Sequence, residues 1–319
     1  MKKKMVVITG PTATGKTRLA ALLANEVNGE IISADSRQIY RHMDIGTGKD
    51  LDDYIVNGNK IKAHLIDIAD AGERYSLFRY KNDFQNAFED ITGRDKLPIV
   101  CGGSGMYIET ALGLYNLPEV NEEPVFREQI QSKSDDELIE LLKSYGKIHN
   151  TTDIKDRERL IRALEIATAK NRKDDLNILE DASNKYDYEP CTDLIYAVEL
   201  PRQVIRDRIT ERLNKRLKEG LIDEVRSLID TGVDFETLNY YGLEYRFISL
   251  YLRGDLKIDE MTLKLNTAIH QFAKRQMTWF RRMEKRGIRI KWLAPDPDSF
   301  IHEIITALKA ANYIPEKLV

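Results

Sequence analysis

The chain has 319 residues, of which 42% are hydrophobic and 32% charged, and a net charge of −3. That balance fits a globular protein of one large or two modest domains, and no stretch approaches the roughly 18 apolar residues a membrane span needs. The apolar run behind the basic start MKKK covers only about five residues before a Gly-rich loop, too short for a secretory signal. A cytoplasmic protein without membrane contact is therefore expected. Cys101 and Cys191 have no CxxC or histidine neighbour, so packed thiols are expected rather than a disulfide or zinc site.

In chain order, Met5 to Thr9 is a β-branched run, followed by GPTATGKT and then TRLAALLANEV with Leu19, Leu22, Leu23 and Val27 at helical spacing. The pattern predicts strand, loop and helix. Gly29 ends the helix, and EIISAD makes a second strand. HLIDI (64–68) predicts a third. Ser76 to Thr92 reads as a helix with Leu77, Tyr80, Phe84, Ala87, Phe88 and Ile91 on one side. LPIVCGG (97–103) has the near-continuous apolar run of a buried parallel strand, and a helix from Met106 to Leu112 leaves it. Strands alternating with helices predict an α/β fold, a doubly wound parallel sheet.

The pattern changes near Pro118. As far as Glu189 only helical segments follow: PVFREQIQ, DDELIELLKSY and DIKDRERLIRALEIATAK. LIYAVEL (194–200) then returns as a strand. Amphipathic helices come next, over PRQVIRDRITERLNKRLKEG, LIDEVRSLID and LKLNTAIHQFAKRQMTWFRRMEKRG. RIKWL (289–293) predicts a last strand, and residues 300–311 a terminal helix. The expected organisation is a P-loop core of residues 1–117 and 191–319 around a helical insertion domain of residues 118–190.

Gly10, Pro11, Thr12, Ala13, Thr14, Gly15, Lys16 and Thr17 fit G-x4-G-K-[ST] between the strand and helix that the motif requires. Backbone N–H groups of such a loop bind phosphate oxygens, Lys16 adds a point charge, and the Thr17 hydroxyl can ligate Mg²⁺. The loop implies a diphosphate or triphosphate, not an ATPase: LPIVCGG ends in Gly102-Gly103-Ser104-Gly105 with no carboxylate for a nucleotide metal. Asp35 follows the second strand and so belongs beside the loop, with Ser36, Arg37 and Gln38 after it. A carboxylate there suits proton acceptance or a metal-bound water, and equally a helix cap.

Charge is segregated. Eight Lys/Arg against one acid lie between His270 and Lys291, and seven against three between Pro201 and Gly220. Either segment can present a phosphate-binding face or a merely solvated one.

GPTATGKT, SADSRQIYRHMDIGTGK (33–49), HLIDI, GGSGMYI (102–108), DRERLIRALE (156–165), RITERLNKRLKEGLIDEV (208–225), YGLEY (241–245) and AKRQMTWFR (273–281) occur in the order and spacing of the tRNA dimethylallyltransferases. The chain resembles that family, in its bacterial form, from about residue 5 to 293. The resemblance implies attack by N6 of the adenine 3′ to the anticodon on C1 of dimethylallyl diphosphate, with Mg²⁺ assisting. It makes Asp35 the general base, places Ser104 near the reacting centre where the family usually has Thr, and assigns Arg212 with Lys16 to the diphosphate. It brings Asp35, Ser36, Arg37, Gln38, Glu158, Arg159, Leu160, Ile161 and Arg162 to the anticodon stem-loop of tRNA, with Arg127 as a further contact.

A single His64 where two are usual, a charged Glu158 where the family has a neutral amide, and no arginine after Thr267 depart from the pattern. A monomer is expected. Three other readings stay open: a small-metabolite P-loop kinase, an adenylate isopentenyltransferase, and a binding protein that grips tRNA without chemistry.

Overall fold

Val6–Thr9 (β1) is buried throughout, as are Gly29–Ser33 (β2), Leu97–Gly102 (β6) and Ile195–Val198 (β7). The computed structural model describes residues 4–114, 123–146, 157–175 and 194–315. Strands buried on both faces belong at the centre of a parallel sheet covered by helices. Among the described residues that sheet has six strands, in the order β5-β2-β6-β1-β7-β8, with every pairing parallel. β3 (Ile55–Val56) and β4 (Asn59–Lys60) form a separate hairpin; β5 (Ala63–His64) and β8 (Lys291–Leu293) are the short edges.

The two-residue alternation of β1 explains the layers. Val6 and Ile8 point into a core with Leu19, Leu23, Ile99 and Phe300, beneath α1 (Lys16–Glu26) and α12 (Pro297–Ala310). Val7 points the other way, toward Tyr80, Phe84, Ile108, Leu213, Ile248 and Phe280. That face is covered by α2 (Leu77–Gly93), α3 (Gly105–Ala111), α7 (Arg202–Lys218), α8 (Leu221–Asp230), α9 (Phe235–Tyr241), α10 (Leu243–Leu252) and α11 (Ile258–Lys285). Among the described residues no helix is long and apolar enough to cross a membrane.

The chain divides into two compact units, Met1–Tyr115 with Tyr186–Val319, and Asn116–Lys185. In the second, α4 (Pro124–Ile130), α5 (Asp135–Ser144) and α6 (Arg157–Asp175) pack Ile130, Leu138, Leu160, Ile161 and Leu164 together. Ser134 and Glu137 make a reciprocal capping box that starts α5.

Two expectations change. The strand over 64–68 ends at His64, because Leu65 (φ 61°) and Asp67 (φ 56°) adopt left-handed backbone. Instead of following β2, the segment returns to residues 38–40: the Asp67 and Ile68 N–H groups donate to the Gln38 and Ile39 carbonyls at 3.2 and 2.8 Å. The sequence pattern also gave no element for α9 and α10, whose run Tyr240-Tyr241-Gly242-Leu243 carries a helix break in mid-pattern. Cys101 is a buried free thiol, as expected; Cys191 lies outside the described residues.

At the sheet edge the Glu30 side chain, 2% exposed, accepts from Arg94 at 2.7 Å, Lys96 at 2.9 Å and His64 at 2.8 Å. Hydrogen bonds from Arg94 above all, with those from His64 and Lys96, hold its carboxyl far below the unfolded value of 4.5, against the opposing effect of burial. A depressed carboxyl contributes stability that is complete above the unfolded value and is lost as pH falls toward the folded one. Glu30→Gln is therefore expected to lower unfolding free energy by about 2 kcal/mol at pH 7, with the deficit shrinking below pH 4.5, in denaturant melts across pH.

Candidate active site

Three loops leave the carboxyl ends of the neighbouring strands β2, β6 and β1, where open α/β sheets bind their ligands. The loop after β1 wraps Gly10 to Thr17 around the start of α1. Gly15 takes φ 82° at the helix N-cap, a left-handed conformation that glycine adopts without strain. No acidic side chain occupies the first turn and no side chain caps it, so the N–H groups there are open to an anion. The Thr14 hydroxyl donates to the Pro11 carbonyl at 2.9 Å, closing the loop upon itself.

The loops after β2 and β6 are welded together. The Ala34 N–H donates to the Cys101 carbonyl at 2.7 Å, and the Ser104 N–H to the Ala34 carbonyl at 3.2 Å. A Cβ on Gly102 would lie 2.2 Å from the Ala34 oxygen, so only glycine permits this approach. The Ser36 N–H donates to the Ser104 hydroxyl at 3.1 Å, and the Asp35 carboxylate accepts from the Arg37 N–H at 3.1 Å. That last contact fixes one carboxylate oxygen of the half-buried Asp35.

Gln276 on α11 joins this assembly to the phosphate loop. Its buried amide accepts from the Thr12 N–H at 2.8 Å and donates to the Gly103 carbonyl at 2.9 Å. From α7, the Arg212 guanidinium donates to the Thr12 hydroxyl, and the buried Arg216 pairs with Asp50 at 3.2 Å. Glu224 of α8 accepts from the Asp44, Ile45 and Gly46 N–H groups at 2.8, 2.7 and 3.0 Å, pinning the loop that carries Asp50. Buried Lys49 draws in the Tyr40 carbonyl at 2.5 Å, Asp44 at 2.8 Å and Asp67.

These cations are crowded. Burial pulls Lys16 below the ordinary lysine value, opposed by the charges of Cys101 and Asp35. Burial, and then Arg216, brings Arg212 down to about 10. Burial also pushes the Cys101 thiol up to about 12, so it is not a nucleophile at neutral pH. Two partly desolvated cations at a helix N-terminus form a site whose energy falls when a multivalent anion enters.

Gln276 thus ties the loop of residues 10–17, to which Arg212 bonds at Thr12, to the turn whose Ser104 holds Ser36, the neighbour of Asp35. Gln38 is buried and donates to the Gly48 carbonyl at 3.1 Å, so its side chain is engaged within the protein. Leu160 and Ile161 likewise lie inside, in the core of the helical unit. In that unit Arg127 reaches buried Glu165 at 2.8 Å and Glu158 at 3.6 Å, and Arg162 reaches Glu165 at 3.0 Å; Arg159 is exposed. Burial opposes the Glu165 carboxyl's ionisation, yet the two arginines keep it below its usual range.

A family model described as IPP transferase matches residues 38–283, and one described as isopentenyl transferase matches residues 3–66. The chain belongs to the IPP transferase family. Relatives named tRNA dimethylallyltransferase include one from Parabacteroides distasonis, 50% identical over 91% of this chain and 92% of its own length. Another, from Phocaeicola vulgatus, is 47% identical over 98% and 99%. A solved structure of the full-length tRNA isopentenylpyrophosphate transferase of Bacillus halodurans is similar at a TM-score of 0.68 and 30% identity, covering 97% and 96% of the two chains.

Against this IPP transferase fold, the sequence pattern missed Gln276, Arg216 and Glu224 as parts of the site. Gln276 stands inside the quoted AKRQMTWFR, but helical periodicity shows only that a polar residue faces inward there, not what it bonds. Two glycine variants test these close approaches. Gly102→Ala is expected to cost about 1–3 kcal/mol in thermal or denaturant melts, since its methyl meets backbone. Gly103→Ala instead drives its methyl to 2.5 Å from the buried Gln276 amide, so it should weaken anion binding to the loop in calorimetry and, with that bridge displaced, also lower stability.

Proposed function

We propose that this chain transfers a dimethylallyl group from dimethylallyl diphosphate to N6 of the adenine 3′-adjacent to the anticodon of tRNA, releasing diphosphate. The observation that carries the reading is the Gln276 amide, which ties the phosphate loop at Thr12 to the Gly103-Ser104 turn that braces Asp35 and Ser36. An anion cradle and a carboxylate then flank one space. Names of the relatives supply the substrates: they are tRNA dimethylallyltransferases along nearly their whole length.

In the reaction, the C1–O bond breaks as the N6–C1 bond forms, and the bonding electron pair leaves with the diphosphate. Negative charge grows on the departing oxygens, where the loop N–H groups, Lys16 and Arg212 stabilise it more than the ground state. Asp35 accepts a hydrogen bond from the amine and takes its proton as the nitrogen becomes positive. Ser104 orients that carboxylate's neighbour Ser36 at 3.1 Å and stands beside the reacting atoms.

The donor set also suits Mg²⁺. Thr17 follows Lys16 in the first turn of α1, and its hydroxyl is a hard oxygen donor of the kind Mg²⁺ takes. Thr17 would hold the ion together with diphosphate oxygens and water, and the ion would neutralise leaving-group charge. Exposed Lys274, Arg275 and Arg281 on α11 supply backbone-phosphate contacts; Arg282 and Arg286 are already committed to buried Glu109, at 3.5 and 2.8 Å. Bringing the adenine to Asp35 requires its extrusion from the loop stack.

The test incubates the full chain with Mg²⁺, labelled dimethylallyl diphosphate and, in parallel, unmodified tRNA or AMP. Label is expected in tRNA alone. Asp35→Ala should lower kcat by about 10²–10⁴-fold with donor binding kept. Lys16→Ala should instead raise the donor Kd about ten- to a hundredfold. Label in AMP alone would make the acceptor a nucleotide, and a fully active Asp35→Ala would remove the base assignment.

A further inference from the structure

Tyr240 is 44% exposed, and a lone exposed aromatic usually needs no explanation. This one is anchored on three sides. The Arg37 guanidinium sits 5.0 Å over its ring, its edge meets the Tyr241 ring at 5.8 Å and 63°, and its hydroxyl donates to the Tyr75 carbonyl at 3.4 Å. Tyr241 is in turn fully buried, packed on Tyr40 at 4.5 Å, with its hydroxyl donating to the Glu73 carbonyl at 3.1 Å. The exposed ring therefore stands on a rigid base.

Its place matters more. Arg37, which covers Tyr240, is the residue whose N–H holds the Asp35 carboxylate at 3.1 Å. Gly242, just beyond Tyr240, has φ 134° and would bring a Cβ within 3.8 Å of the Arg37 Nε. The aromatic ring and the guanidinium therefore meet beside the proposed base. A fixed π-face next to a cation is what unpaired nucleobases stack upon.

Resting on the transfer to tRNA proposed above, we infer that Tyr240 and Arg37 form a stacking platform for a second unpaired base, the one adjoining the extruded acceptor adenine. Tyr240 is then a positioning residue. By holding the neighbouring base it fixes the backbone from which the acceptor reaches Asp35, and it makes the enzyme favour a loop over a free nucleotide. The hydroxyl serves only to hold the ring, and the ring carries the contact.

The experiment uses the full chain with Mg²⁺, saturating dimethylallyl diphosphate and an anticodon stem-loop. In one series the stem-loop carries 2-aminopurine at the position on either side of the acceptor. Tyr240→Ala is expected to raise KM for the stem-loop about tenfold with kcat nearly kept, and Tyr240→Phe to restore it. Fluorescence at one flanking position should be quenched by the wild-type chain and by Tyr240→Phe, but not by Tyr240→Ala. Should Tyr240→Ala fail to fold, Tyr240→Leu replaces it in both readouts. An active wild-type chain whose alanine or leucine variant keeps KM and quenching overturns this inference alone. A wild-type chain that transfers nothing to the stem-loop overturns the proposed activity, and this inference with it.

Discussion

One buried primary amide sets the geometry on which the site depends. Gln276 uses its oxygen for the Thr12 N–H and its nitrogen for the Gly103 carbonyl, so the phosphate loop and the β6 turn share a single rigid bridge. Away from water, leaving either group unpaired would cost more than the bond itself contributes. The bridge comes from α11, a 28-residue helix whose Met261, Leu265, Ile269, Ala273, Phe280 and Met283 face the core. A long hydrophobic stripe far from the chemistry thus sets the spacing between anion and carboxylate. Gly105, whose Cβ would collide with the Trp279 ring, lets α3 approach the same helix.

Electrostatics follow from that geometry. Lys16 and Arg212 are held partly out of water beside one another, and Arg216 adds a third cation paired with Asp50. Glu244, from the α10 start, feels both arginines, and burial raises its carboxyl above the usual range. A diphosphate placed there would relieve that crowding of cations, and a growing negative charge would relieve it further. The same principle applied elsewhere gives stability instead of reactivity: Glu30 and Glu109 are buried acids met by their own arginines.

Much of this was legible in the chain. The G-x4-G-K-[ST] loop has few folding options between an apolar strand and an amphipathic helix, and Asp35 stands at the end of the short run EIISA that marks the second strand. Other residues escaped for physical reasons. The 64–68 run has strand composition, yet Lys49, buried and paired with Asp44 and Asp67, draws it away from β2. Leu160 and Ile161 lie in a motif associated with RNA, but a helix that must bury one stripe gives those positions to packing. Gln276 and Tyr240 carry no periodic signal for what they touch, since their hydrogen-bond partners lie over 150 residues away along the chain. The basic segments divide as well: Arg282 and Arg286 neutralise Glu109, whereas Lys274 and Arg275 face outward.

Transfer requires the anion loop and the carboxylate to open onto one substrate pair. A crystal structure of the full chain with Mg²⁺, a non-hydrolysable thiolo analogue of dimethylallyl diphosphate and an unmodified anticodon stem-loop tests this directly. The diphosphate should sit on the N–H groups of residues 10–17, with the acceptor amine within hydrogen-bond distance of Asp35 and facing C1. A diphosphate bound elsewhere, or an amine turned away from Asp35 into another cavity, would contradict the account.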